Sequence, residues 1–256
     1  HPFRFGVWAD GAFSWLDDEA WERKLDYAGD TLVTQVELRH PRLALRLECR
    51  DMVDFHEDLY LRQIDVHDES GQDRQVRLFF GQDFHISGRE IGDTAYYEPE
   101  RRAVLHYKGK RWFMINTTAS GRDRLGVDQW AVGIKETEGL RGTWCDAEDG
   151  ELSGNAVVQG SVDSVVALHL DVPAGGSVTG WYWIAVGDAF TEVTRINRQV
   201  RQKHPRTFLE RTRDYWTLWI EKKGHDLAGL PHDVCHLYRR SLGILRTQVD
   251  NAGAII

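Results

Sequence analysis

The chain has 256 residues with 32 Lys and Arg against 40 Asp and Glu, a formal charge of −8, and no basic run. That balance argues against nucleic acid or an anionic membrane as partner, because phosphate binding relies on clustered positive charge. No stretch approaches the roughly 20 apolar residues of a spanning helix, and the length suffices for one large domain or for one domain and part of another.

From Phe3 to Gly187 the pattern is β. Phe3, Phe5 and Val7 alternate into Asp10-Gly11, after which Phe13 and Trp15 resume the alternation; Asp-Gly between two such runs predicts a hairpin with a type I′ turn. Leu43, Leu45, Leu47 and Cys49 line one face of the next strand. Val76, Leu78 and Phe80 then alternate with Arg77 and Phe79, which predicts a strand with one buried face. It runs into a glycine-punctuated loop carrying Asp83, His85, Glu90 and Asp93. Ala103 to Lys108 and Arg111 to Asn116 meet across Gly109-Lys110. Val166 to Val172 leads through Pro173-Ala174-Gly175-Gly176 into Val178 to Val186, with Trp181 and Trp183 on one face. Roughly a dozen short strands without intervening helices predict a large antiparallel sandwich.

After Gly187 the period becomes helical. Val193, Ile196 and Val200 predict a helix over 191–203 that stops before His204-Pro205. Phe208, Thr212, Tyr215 and Trp219 form the expected buried stripe of a second helix over 206–222. Beyond Gly224 to Pro231, a third helix carries Val234, Leu237, Leu242, Leu245 and Val249 as its apolar side, with Arg239, Arg240 and Arg246 off it.

His232 and His236 sit four apart around Cys235, as zinc ligands on a helix do. Asp233 stands where a zincin has Glu and no third ligand is evident, so the histidines read as a helix start and no metal is expected. There is no G-x-S-x-G, G-x-G-x-x-G or P-loop, Ser87, Ser120 and Ser161 are turn-like, and no cofactor is expected. Asp83, Glu90 and Asp93 offer the two carboxylates that glycoside hydrolysis needs, although a chain with 40 acidic residues holds chance clusters. Most tryptophans alternate with buried positions and read as core. Cys49, Cys145 and Cys235 are too few and scattered for a disulfide framework, which fits a reducing cytoplasm; an exported protein without disulfides has the same pattern. Asn116-Thr117-Thr118 is a glycosylation sequon that a cytoplasmic protein leaves bare.

Several blocks together resemble one family. RFGVWADGAFSWLDD at Arg4 to Asp18, DTLVTQVELR at Asp30 to Arg39, RLFFGQDFHISGREIGDTAYYEP at Arg77 to Pro99, HYKGKRWFMIN at His106 to Asn116 and YRRSLGILRTQVDNAGAII at Tyr238 to Ile256 are similar to the N-terminal part of bacterial and archaeal glycoside hydrolase family 15. This is the group of glucoamylase, glucodextranase and isomaltose glucohydrolase. The resemblance implies a super-β-sandwich over 1–187, a helical linker over 188–230, and the beginning of an (α/α)6 catalytic barrel over 231–256. It further implies strands preceding His1 and catalytic glutamates beyond Ile256, so that no catalytic residue falls on this chain. The expected activity of the whole enzyme is release of glucose, with inversion, from the non-reducing ends of α-glucans or α-gluco-oligosaccharides. In that arrangement the sandwich touches the barrel within the same polypeptide, and Asp83, His85, Asp93, Tyr96 and Tyr97, in the loop from Gln82 to Tyr97, are candidates for the rim of the substrate pocket. The competing expectations are a carbohydrate-binding sandwich that stacks sugar on exposed tryptophans and a purely structural module.

Overall fold

A computed structural model describes residues 3–88, 92–122, 125–135, 141–222, 227, 229–249 and 253. Fourteen strands form two antiparallel sheets. One has five strands, β1 (Arg4–Ala9), β2 (Ala12–Trp15), β7 (Arg74–Gln82), β11 (Gln129–Ile134) and β13 (Val162–Val172), in the order β11-β13-β7-β1-β2. The other has nine: β3 (Glu22–Tyr27), β4 (Thr34–His40), β5 (Leu45–Val53), β6 (Leu59–Asp68), β8 (Asp93–Glu98), β9 (Ala103–Lys108), β10 (Arg111–Ala119), β12 (Val157–Gly160) and β14 (Ser177–Gly187). Its order is β12-β8-β9-β10-β14-β6-β5-β4-β3. Three helices follow, α1 (Phe190–Lys203), α2 (Pro205–Glu221) and α3 (His232–Thr247). The chain is thus mainly β, a two-sheet sandwich with a helical segment after it.

Turn chemistry fixes the register where the sequence foretold it. Ala9 pairs with Ala12 across Asp10 (φ 52°) and Gly11 (φ 81°), the two positive φ angles that a type I′ turn demands. Lys108 pairs with Arg111 across Gly109. At the β13–β14 turn, buried Asp68 accepts from the Gly175 amide at 2.9 Å and the Gly71 amide at 2.7 Å, tying two turns together.

The core lies in three layers. Val7, Leu45, Leu47, Ile64, Leu78, Ile115 and Leu168 fill the space between the sheets. On the outer side of the nine-stranded sheet, Leu59, Leu61, Met114, Trp181 and Trp183 meet Val193, Ile196, Val200 and Phe208 of α1 and α2. Each fully buried tryptophan removes ~200 Å² from water, worth about 4–5 kcal/mol at ~25 cal/mol per Å². A smaller cluster of Trp15, Phe79, Val165 and Ala147 sits outside the five-stranded sheet, under a 3-10 segment at Thr143–Asp149. β7 is therefore buried on both faces. Phe79 is as enclosed as Leu78, contrary to the single buried face expected from the alternation, because a 3-10 cover distant in sequence supplies a second core.

Two carboxylates in the β5–β6 loop clamp the helices to the sandwich. Asp54 accepts from Arg211 Nε at 2.9 Å and Nη2 at 2.6 Å, from Thr212 Oγ1 at 3.1 Å, and from the amides of His56 and Glu57 at 3.0 and 2.9 Å. Glu57 takes both terminal nitrogens of Arg195 at 3.0 and 2.7 Å. Beneath α1, Asn197 Oδ1 accepts from Trp183 Nε1 at 3.0 Å and Asn116 Nδ2 at 3.1 Å. Asn116 is fully buried, so the sequon is closed to glycosylation in the folded chain.

The helices turn different faces inward from those expected. In α2 the buried line is Phe208, Leu209, Thr212, Trp216 and Ile220, while Tyr215 and Trp219 are half-buried on its flank. Docking against β5, β6 and α3 rotates the helix past the stripe read from spacing. α3 departs further: Leu237 is 66 % and Leu245 61 % exposed. Its inward contacts are polar. His236 Nδ1 meets Asp30 Oδ1 at 2.6 Å, Arg239 meets Asp30 at 3.1 Å and Arg240 meets Asp26 at 2.9 Å. Gly243 packs closely over the Leu32 side chain, where a Cβ would stand 3.2 Å away.

Candidate functional site

The end of β7 carries a buried polar arrangement that joins the two sheets. Gln82 lies between the sheets and needs partners for both ends of its amide. Its Nε2 donates to Phe80 O at 2.8 Å and Tyr182 Oη at 3.2 Å, and its Oε1 accepts from Ser164 Oγ at 2.9 Å. Ser164 in turn lies 2.7 Å from His106 Nε2. Because the serine proton is committed to Gln82, His106 is the donor in that contact, which fixes its Nε2–H tautomer. Complete burial pushes the His106 pKa down to about 3, opposed by the charge of Asp83, so the ring stays neutral. The serine and histidine therefore form links of an internal hydrogen-bond chain, with the serine's proton directed away from the imidazole and unavailable for nucleophilic activation.

Asp83 follows at the strand end. Its carboxylate lies 3.5 Å from the ammonium of Lys135, a side chain only 3 % exposed, and the same ammonium donates to His85 Nε2. Beside them Asp163 Oδ2 accepts from the Thr143 amide at 2.8 Å, while Oδ1 has no hydrogen-bond partner among the described residues. Burial raises the Asp163 pKa to about 6, with the negative charge of Asp83 adding to the shift and the bonds from Thr143 opposing it. The space that Asp83 and Asp163 share with Arg4, Trp144 and Ser164 amounts to about 30 Å³. That admits a water-sized molecule and no sugar ring; Arg4 closes it from one side, its guanidinium 4.0 Å above the Trp144 ring.

The other candidates lie apart from this cluster. Asp93, 2 % exposed at the start of β8, pairs with Lys108 at 2.9 Å. The loop from Gln82 to Asp93 is thus held at each end by an aspartate–lysine contact, and Glu90 falls outside the described residues. Tyr96 and Tyr97, as successive strand residues, point to opposite faces. Tyr96 faces the helix side, edge-on to Tyr107 at 6.2 Å, and burial raises its pKa. Tyr97 faces the inter-sheet side, stacked on Trp130 at 3.5 Å. The structure brings Asp83 and His85 together at Lys135 and separates them from Asp93, Tyr96 and Tyr97. Sequence reading missed Lys135, Asp163, Ser164 and His106; the signal for the last three was a polar residue inside an otherwise apolar strand.

No group of three or more metal-ligating side chains forms among the described residues. His236 is held by Asp30 and by Arg240 at 2.7 Å, its ring 6.3 Å from that of His232. The three cysteines are free thiols, and burial pushes the Cys49 pKa up to about 12. No described helix is long and apolar enough to cross a membrane.

No protein-family model matches the sequence, and no curated protein matches it. Solved structures do. A bacterial glucoamylase in complex with acarbose superposes with a TM-score of 0.67 at 12 % identity, over 97 % of this chain and 35 % of that one. A putative kojibiose phosphorylase from the human microbiome follows at 0.45 and 7 % identity, over 96 % of this chain and 27 % of that one. A family GH92 α-mannosidase from Bacteroides thetaiotaomicron follows at 0.38 and 8 %, over 83 % and 31 %. The chain therefore shares its fold with the matching part of the glucoamylase, a sandwich with helices after it. The chain spans about a third of the length of the glucoamylase that it matches.

Proposed function

We propose that this chain is the sandwich, linker and first barrel helix of an exo-acting α-glucoside glucohydrolase of the family 15 type. Residues 1–187 form the sandwich, 188–230 the linker and 231–256 the opening of an (α/α)6 barrel. The observation that carries the reading is the agreement of the backbone with a bacterial glucoamylase over 97 % of the chain. Two features support it. The helices are fastened to the sheet by Asp54 and Glu57 as a rigid shelf, and α3 turns Leu237, Leu245, Val234 and Ile244 away from the sandwich, where a further helical layer would bury them.

In this proposal the glutamates that hydrolyse α-glucosides with inversion belong to the barrel, and this chain alone is inactive. Its task is to buttress the barrel and to hold the loop from Gln82 to Tyr97 at the pocket rim. Asp83 and Asp93, fixed by lysines, serve there as anchors of the loop. A rigidly held loop narrows a pocket and selects short substrates over long ones. All ten tryptophans are buried or half-buried, which favours this reading over a tryptophan-based binding module. The free cysteines accord with a cytoplasmic site of action. The test is calorimetric titration of the 256-residue chain with maltoheptaose and dextran beside a glucose-release assay. No saturable binding and no glucose release are expected, and hydrolysis by the chain alone would overturn the proposal.

A further inference from the structure

A groove of about 360 Å³ lies between the turn joining β8 to β9 and the outer side of α1, away from the polar cluster at the end of β7. Donors dominate its lining: three arginines, Asn197, Thr194 and Gln202 against the single carboxylate of Glu100. Arg198 and Arg201, at i and i+3 on α1, enter it as neighbours on one helix face. Neither has an ion-pair or hydrogen-bond partner among the described residues, whereas Arg195 on the same helix is taken up by Glu57. Arg101 closes the groove from the turn and is itself paired with Glu98 at 3.3 Å and with the one lining carboxylate, Glu100, at 3.2 Å. Asn197 forms part of the floor and is 2 % exposed. Its Oδ1 is taken up by Trp183 and Asn116, while its Nδ2 makes no hydrogen bond among the described residues and is not sealed from solvent. The Thr194 hydroxyl also lines the groove, buried and without a hydrogen-bond partner among the described residues.

A pocket furnished with two guanidiniums unpaired among the described residues, an amide N–H₂ open to it and a buried unpaired hydroxyl suits an acceptor-only ligand. Guanidinium forks match the paired oxygens of a phosphate, and the buried Thr194 hydroxyl is a donor still lacking an acceptor. We infer that this groove is an oxyanion site, taking inorganic phosphate or the phosphate of a phosphate monoester through Arg198, Arg201 and Asn197. On a chain of net charge −8 such a site stands out as a local reversal of sign. The inference uses no part of the proposed hydrolase reading and stands or falls separately from it.

The experiment is calorimetric titration of the 256-residue chain with potassium phosphate, glucose 6-phosphate and potassium chloride at matched ionic strength. Saturable binding of phosphate or its ester, absent with chloride, is expected. Tighter binding of glucose 6-phosphate assigns the site to an ester, and tighter binding of inorganic phosphate to the free ion. The double substitution Arg198→Ala with Arg201→Ala weakens binding at least ~tenfold. It leaves the melting temperature without phosphate within ~2 °C, since both side chains lie on the outer side of the helix. Arg198→Lys, which keeps the charge and loses the fork, gives an intermediate loss of ~three- to fivefold. Heats that fail to saturate or equal those of chloride overturn the inference, as does phosphate affinity unchanged in the double variant.

Discussion

Replacing Asp54 by alanine tests how the helices are joined to the sandwich. The carboxylate is fully buried and accepts five hydrogen bonds, two of them from Arg211. Removing one member of a buried ion pair costs about 3–5 kcal/mol, because the other is left uncompensated. Here the Arg211 side chain is 29 % exposed and stacks at 4.3 Å on Phe208, so water re-solvates part of it and the lower end, about 3 kcal/mol, applies. In a domain of this size 1 kcal/mol shifts the midpoint by ~2–4 °C, giving a fall of ~6–12 °C. Thermal unfolding followed by circular dichroism measures it, with Asp214→Ala, on an exposed ion pair with Arg213, as a control that changes by less than ~2 °C. Amide exchange should show α2 loosening before β6 and β14. Asp54→Asn retains an acceptor for the two backbone amides and loses the charge, so its fall is smaller. If Asp54→Ala melts within 2 °C of the parent, the clamp carries no weight and the helices are held by apolar packing alone.

Two buried groups give opposing pH dependences. The folded pKa of Asp163, about 6, lies above its ordinary value, so its charged form penalises the fold; the penalty grows as pH rises from about 4 and is complete above 6. Asp163→Asn therefore stabilises the chain by about 3 kcal/mol at pH 7.5 and by little at pH 4, read from urea unfolding midpoints. His106, with a folded pKa of about 3, acts in the other direction. Its contribution is fully present above pH 6.5 and is lost as pH falls, by about 3 kcal/mol at pH 4. In the parent the two slopes partly cancel, and Asp163→Asn exposes the acid limb; a variant whose stability is flat between pH 7 and pH 4 contradicts the burial of His106. The pair Leu237→Ser and Leu245→Ser on α3 changes stability by less than ~0.5 kcal/mol per site and reduces binding of an apolar dye. A loss above ~2 kcal/mol means that this face is already packed.

What the sequence revealed and what it hid divide along a physical line. Strands whose alternation is carried by large apolar residues, such as β7, β13 and β14, were visible, as were turns set by local chemistry at Asp10-Gly11, Gly109 and Pro173 to Gly176. The break between α1 and α2 was visible for the same reason. β3, with its run of Glu22, Arg23, Lys24 and Asp26, is an exposed edge strand whose polar composition hides its period. The helix faces were misjudged because α2 offers two apolar columns and only docking chooses between them. At the polar cluster, Asp83 and His85 were visible as types, whereas Lys135, which joins them, lies just past the end of β11 and has no local signature. Ser164 and His106 become intelligible only when the sheet holding β7 and β13 is packed against the sheet holding β9.

The central proposal, a sandwich that supports a catalytic body outside these residues, is tested most directly by measuring glucose release from maltose and maltoheptaose. The 256-residue chain and the complete product of its reading frame are assayed side by side. The account predicts stepwise glucose release from the complete product, with the inverted anomer formed first, and none from the chain alone. Release by the chain alone, or a complete product inactive on every α-glucoside tried, contradicts it.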